Sequence, residues 1–228
     1  MNNNMQSPNT EEAGFLVKNR IDPSFYTLHL VMYGFLLSDY VKNIVEFIVN
    51  KTISFPGGLI QFLGLIIIFS YALESVMTFD RYNEREVSNK ETKYRILLHI
   101  IWFLHFIPLY TISFVSSSKN GISSYGLSVF SLSFVGIYIL YLIYVSIEWL
   151  HGKKIKDEKL TLSSKRNMYL YIELTIIMLV SFILIQICSC LCLNAQIYII
   201  FLFTLFCFLK YGFYWWDKFF VGLINEKK

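Results

Sequence analysis

The residues with the clearest chemical potential lie between positions 38 and 52, where polar side chains recur at the spacing of one helix face. These residues are Asp39, Lys42, Asn43, Glu46 and Asn50. Lys42 can pair with Asp39 three positions before it and with Glu46 four positions after it. Ionisable groups inside a membrane span usually face a bundle interior or water, which makes them candidate functional groups. The face is predicted to line a path for an ion or solute, to lock this helix to a partner helix, or to meet water near the membrane surface.

Three of the four histidines lie within apolar segments, with His29 in the first segment and both His99 and His105 in the third. His99 and His105 are six positions apart, which is about 120° around a helix. The pair is therefore not expected to chelate a metal by itself, and neither a metal nor a cofactor is predicted. Each histidine is predicted either to relay protons near neutral pH or to hydrogen-bond, as a neutral ring, to a neighbouring helix. Pro108 is predicted to kink the third segment.

Carboxylates recur near one end of several apolar segments. Glu74, Glu148 and Glu173 lie within a few residues of Lys or Arg, so they are predicted either to line a vestibule or to anchor helix ends. Lys210 and Asp217 are seven positions apart and share a helix face. We expect both side chains to extend toward the nearer membrane surface.

The sequence contains none of the common catalytic signatures. HExxH, GxSxG, a Walker lysine loop and GxGxxG are all missing, and these motifs mark many metalloproteases, serine hydrolases and nucleotide-binding proteins. Membrane enzymes with looser signatures remain possible, so the prediction on catalysis is open and leans toward a protein that is not an enzyme.

The composition indicates a membrane protein. Of the 228 residues, 55% are hydrophobic and 16% are charged, whereas about 25% are charged in typical soluble domains. Mean hydropathy is +0.51. The net charge of +4 comes from Lys and Arg in short connections between apolar runs, without the basic stripe of a nucleic-acid-binding surface. The lipid bilayer is therefore the predicted partner, and nucleic acid is not.

The apolar runs predict an all-α, polytopic transmembrane helical bundle with about six spans. Several runs reach the roughly 20 residues that cross a hydrocarbon core, and backbone groups in lipid must be paired within a helix. The transmembrane domain is predicted over 25–216, between polar tails at 1–24 and 217–228. The predicted spans are 25–49, 59–79, 96–115, 125–150, 169–191 and 197–216.

Basic residues alternate between connections, which predicts the orientation. By the positive-inside rule, the richer connections and both termini are predicted to be cytoplasmic. The basic residues on that side are Lys18 and Arg20; Arg81, Arg85, Lys90, Lys93 and Arg95; Lys153, Lys154, Lys156, Lys159, Lys165 and Arg166; and Lys218, Lys227 and Lys228.

The first predicted span has a short apolar part. Its apolar part, 25–38, forms only about 21 Å of helix, which is short for a hydrocarbon core of about 30 Å. Crossing therefore requires the polar residues that follow. If this segment does not cross, five spans with an external N-terminus are expected.

Three functions are compatible with this pattern. The first is a non-catalytic membrane subunit, of an assembly, immunity or regulatory type, that packs against itself or a partner membrane protein. The second is a small permease or channel subunit that uses the polar face of span one. The third is a membrane-embedded lipid-modifying enzyme that uses His and Glu side chains near the cytoplasmic side.

Overall fold

The computed structural model describes residues 23–50, 55–83, 89–116, 123–187 and 192–216, and these ranges are almost entirely helical. The all-α prediction is confirmed. The predicted tails lie outside the described residues, except that the first helix begins at Pro23. The helices are α1 (Pro23–Asn50), α2 (Phe55–Asn83), α3 (Asn89–Leu104), α4 (Phe106–Ser116), α5 (Ser124–Ile155), α6 (Glu158–Ile187) and α7 (Leu193–Trp216).

Among the residues that the structure describes, four helical segments are long and apolar enough to cross a membrane, which is typical of a membrane protein. They correspond to the third to sixth predicted spans. A shorter apolar stretch, Gly58–Ala72, lies in α2. The four segments are Ile96–Val115, Ser124–Ile155, Glu158–Ile187 and Leu193–Tyr214.

The third segment is broken at His105, which separates α3 from α4. His105 N bonds to the Trp102 carbonyl at 3.2 Å, which is a tighter turn than the α-helical pattern. Pro108 has no amide hydrogen and its ring excludes the carbonyl four residues earlier. The helix is interrupted at His105, three residues before Pro108, and the kink at Pro108 itself stays a prediction.

α5 and α6 form a continuous helical hairpin with a very short turn. The stretch between the fourth and fifth predicted spans, 151–168, is mostly helical, and only Lys156 and Asp157 lie between the two helices. Lys156 takes a left-handed conformation with φ 58° and ψ 32°. Asp157 then begins α6, because its Oδ1 accepts a hydrogen bond from Leu160 N at 2.9 Å. The amide of Asp157 bonds back to the carbonyl of Gly152 at 2.9 Å, which closes the end of α5.

The register of the hairpin is constant along its length. Tyr141 stacks on Tyr171 with ring centroids 4.8 Å apart. Farther from the turn, Gln186 Nε2 donates a hydrogen bond to Ser128 Oγ at 2.7 Å. In each pair the two residues are about equally distant from the turn, so the helices run antiparallel without slipping past each other.

α1 lies at the edge of the bundle and buries one face. Its buried residues recur at helical spacing and are His29, Tyr33, Leu36 and Tyr40. The Tyr40 hydroxyl donates to the backbone carbonyl of Gln61 in α2, and the Tyr33 ring lies 4.7 Å from that of Phe106 in α4. One side of α1 therefore packs on α2 and α4, and the opposite side faces outward.

Candidate functional site

The polar residues predicted in span one lie toward the outside of the bundle. Asp39 and Lys42 are exposed, whereas Asn43 and Glu46 are half-buried at the margin of the packed face. The side chain of Asn50 lies outside the described residues. Lys42 thus lies on the side of α1 opposite the buried Tyr40, and Asp39 lies about 100° around the helix from Tyr40.

The exposed face of α1 has a seven-residue repeat. One row contains four residues at that spacing and a second row contains three, and all seven side chains are exposed. Helices with this arrangement of rows pair side by side, with each row filling spaces on the other helix. We call this surface the α1 seam; it contains Leu28, Val31, Phe35, Ser38, Lys42, Val45 and Val49.

His29 points to the opposite side of α1 and is enclosed by aromatic rings. Its side chain is only 4% exposed. Its ring centroid lies 5.4 Å from that of Trp102, 5.7 Å from Phe103 and 5.6 Å from Phe106. The enclosure joins α1 to the region where α3 and α4 meet, so His29 has the position of a packing residue.

His105 lies at the break between α3 and α4 and is also buried. Its Nδ1 is 2.9 Å from the carbonyl oxygen of Ile101. A carbonyl only accepts, so Nδ1 carries the proton in this contact. The edge of the His105 ring meets Tyr141 of α5 at a centroid distance of 4.5 Å. His99 lies in α3 and is half-buried. The contacts of His105 tie the broken helix to α5.

Three stacked tyrosines from three helices form a buried aromatic layer beside His105. Tyr71 of α2 stacks on Tyr141 at 5.6 Å, and Tyr141 stacks on Tyr171 of α6 at 4.8 Å. Sequence reasoning did not identify this layer. The sequence offers only a high tyrosine content, because the stack depends on how distant helices pack.

Two polar contacts join α6 to the C-terminal part of α7. Lys210 Nζ forms an ion pair with Glu173 Oε2, and the Tyr214 hydroxyl bonds to Asn167 Oδ1. The sequence predicts that Glu173 either lines a vestibule or anchors a helix end, and the structure shows it in contact with Lys210 of α7. The side chain of Glu74 and the whole of Asp217 lie outside the described residues.

The described residues contain no group of three or more His, Cys, Asp or Glu side chains placed to hold a metal ion. The predicted polar residues fall into separate places: the outer face of α1, the aromatic enclosure of His29 and the break at His105. His105 is buried, whereas Glu173 is exposed and paired with Lys210. The enzyme hypothesis requires His99, His105 and Glu173 to converge on one pocket. His105 and Glu173 have different surroundings, since one is buried and the other is exposed.

Comparison with protein-family models, curated proteins and solved structures finds no match to this chain.

Proposed function

We propose that this protein is a non-catalytic membrane subunit that works by packing its α1 seam against another membrane helix. The helix belongs to a partner membrane protein or to a second copy of this chain. The observation that carries the proposal is the outward exposure of Asp39 and Lys42 on α1.

The charged side chains on this side of α1 need to be shielded from lipid. Charged side chains are costly in a bilayer, and those within spans usually face protein or water. Lys42 lies on the side of α1 away from its packed residues Tyr33 and Tyr40, and Asp39 is exposed on the adjoining flank. A helix lying along this side would remove both charged groups from lipid and offer them polar contacts.

The apolar members of the seam supply the packing surface. Phe35 is 72% exposed, and Val45 and Val49 are exposed on the same face. In paired helices, one Lys within such a row fixes the register of the pair at some cost in stability. Lys42 takes that place between Phe35 and Val49, so the seam would accept a partner helix in one register.

The proposed membrane topology has six spans with both termini on the cytoplasmic side. α1 and α2 contain 28 and 29 residues, which corresponds to about 42 Å of helix each. This length exceeds a hydrocarbon core of about 30 Å. The two helices would add two spans to the four apolar segments.

The distribution of charge supports the same orientation. At the turn end of α5 and α6, six basic side chains are exposed, whereas the opposite ends of these helices, 124–140 and 174–187, and the first part of α7, 193–209, contain no charged residue. Basic residues concentrate on the cytoplasmic side of membrane proteins. The exposed basic residues are Lys153, Lys154, Lys156, Lys159, Lys165 and Arg166.

The experiment is site-directed cross-linking in native membranes, on a background without the four native cysteines. A single cysteine replaces Val45 in the seam, and a second variant carries it at Phe213 of α7, which is 70% exposed. We expect a cross-linked species of defined mass from Val45→Cys and none from Phe213→Cys. Mass spectrometry then shows whether the captured chain is a second copy or another membrane protein.

A matched pair of truncations tests the packing itself. Phe35→Ala should abolish at least about nine-tenths of the cross-linking at position 45, because it removes the largest apolar group of the seam. Phe213→Ala removes a ring of similar exposure and should leave the yield unchanged. No product at position 45, or equal loss in both variants, would rule out the seam as a docking surface.

A further inference from the structure

Two opposite charges lie close together on the outer part of α1, one on the α1 seam and one beside it. Asp39 and Lys42 are both exposed, and neither forms an ion pair with another residue that the structure describes. They are three positions apart, which is about 4.5 Å along the helix axis. A surface that presents one negative and one positive group at this spacing is complementary to a second surface with the same two charges.

A second copy of this chain presents that complementary surface. Copies that insert with the same orientation have parallel α1 helices, and a twofold axis along the membrane normal places identical residues at equal depth. Side chains on a helix lean toward its N-terminus, so Lys42 extends toward the level of Asp39. Two aspartates and two lysines would then meet at one depth, with no net charge, and the aspartates would offset the repulsion between the two lysines.

The apolar rows of the seam fit a copy of themselves. Side chains that repeat every seven residues interlock with a helix that has the same repeat, and a second α1 has it in the same register. Ser38, which is next to Asp39, has a small side chain that allows two helices to approach closely. Phe35 and Val45 are exposed on the two sides of the charged level and supply the apolar contacts there.

We propose that the α1 seam binds a second copy of this chain in a parallel, twofold-symmetric pair, in which Asp39 of each copy pairs with Lys42 of the other. The inference rests on the proposed function, because it names the partner of the same seam. The reciprocal pairs remove four charged groups from lipid. They also select one register, since sliding one α1 along the other separates the opposite charges.

The first test asks whether two copies meet at the seam. Two forms of the chain with different tags are co-expressed on the cysteine-free background, each with Val45→Cys. We expect a cross-linked species of about twice the 26.8 kDa of the chain that contains both tags. A product that contains another membrane protein and never both tags would overturn this inference and leave the proposed function intact, whereas no product at all would overturn both.

Charge exchange tests the reciprocal pairing. Asp39→Lys in both tagged copies gathers four lysines at one depth, and Lys42→Asp in both gathers four aspartates. Each variant should lower the yield of the two-tag product at least about tenfold, because like charges brought together are costly. Co-expressing one copy with Asp39→Lys and one with Lys42→Asp restores two charges of each sign. The yield should then return close to that of the unexchanged pair, which would also show that both variants insert and fold.

The matched control is Lys154→Asp, the same charge reversal at an exposed residue near the hairpin turn, and it should leave the two-tag yield unchanged. Unchanged yields in Asp39→Lys and Lys42→Asp, or a loss that co-expression does not restore, would contradict the reciprocal pairing. If either charge variant fails to accumulate, the Val45→Cys measurement on the unexchanged pair decides whether a second copy is the partner.

Discussion

Gly152 of α5 and Thr161 of α6 lie so close together that no side chain fits between them. A Cβ placed on Gly152 would be 2.8 Å from Thr161 Oγ1 and 3.1 Å from the Thr161 amide nitrogen. The hydroxyl cannot move freely, because it donates to the Asp157 carbonyl at 2.7 Å. The close approach of the two helices beside the turn therefore depends on a glycine.

Gly152→Ala should destabilise the protein by about 1–3 kcal/mol, as expected when a methyl group is forced into a packed site. The control is Gly212→Ala in α7, where a Cβ would meet nothing within 4 Å. That substitution should be neutral or stabilising by up to about 1 kcal/mol, because alanine favours helix more than glycine does. Thermal unfolding in detergent compares the two, and equal effects would show that the hairpin opens at little cost.

Lys156→Gly should stabilise the hairpin by about 1 kcal/mol. Lys156 has φ 58°, a left-handed conformation that costs non-glycine residues about 1–2 kcal/mol and glycine almost nothing. Lys154→Gly removes the same charge two positions earlier within α5 and should instead destabilise by up to about 1 kcal/mol. Opposite signs in chemical unfolding are expected; two losses of stability would mean that Lys156 makes contacts that outweigh its conformational cost.

The ion pair between Glu173 and Lys210 should contribute a measurable coupling between α6 and α7. We expect a double-mutant cycle with Glu173→Gln and Lys210→Gln to give at least about 1 kcal/mol, above the usual value for ion pairs in water, because lipid screens charge poorly. A double-mutant cycle of Glu173→Gln with Lys154→Gln provides the control and should give no coupling energy. A coupling near zero for the first cycle would indicate that water solvates both groups.

The four apolar segments could be predicted from the sequence because apolar runs set their position. The third predicted span, 96–115, coincides with the apolar segment Ile96–Val115. The ends of α5 and α6 at the turn were harder to predict. The apolar sequence ends near Leu150, but lysine and glutamate have high helix propensity, so the helix continues beyond it. The left-handed Lys156 and the cap at Asp157 decide where these helices stop.

The orientation of α1 around its axis could not be predicted, for a physical reason. In a soluble helix the apolar side faces the core, but lipid is as apolar as a protein interior. In α1 the buried side contains His29 and Tyr40, whereas Val31 and Val45 are exposed. Hydrophobicity therefore does not distinguish the packed side from the outer side, and the stacked tyrosines of the core were unpredictable because they depend on contacts between distant helices.

The fixed register of α5 and α6 has a mechanical consequence. The Gln186 to Ser128 bond, the stack of Tyr171 on Tyr141 and the contact of Thr161 with Gly152 lie at three depths along the hairpin. Sliding one helix by a single turn would break all three contacts at once. The two helices are therefore expected to move together as a rigid pair about 48 Å long. If the pair tilts about its middle, a displacement of its Ser128 end moves the Lys156 turn in the opposite direction.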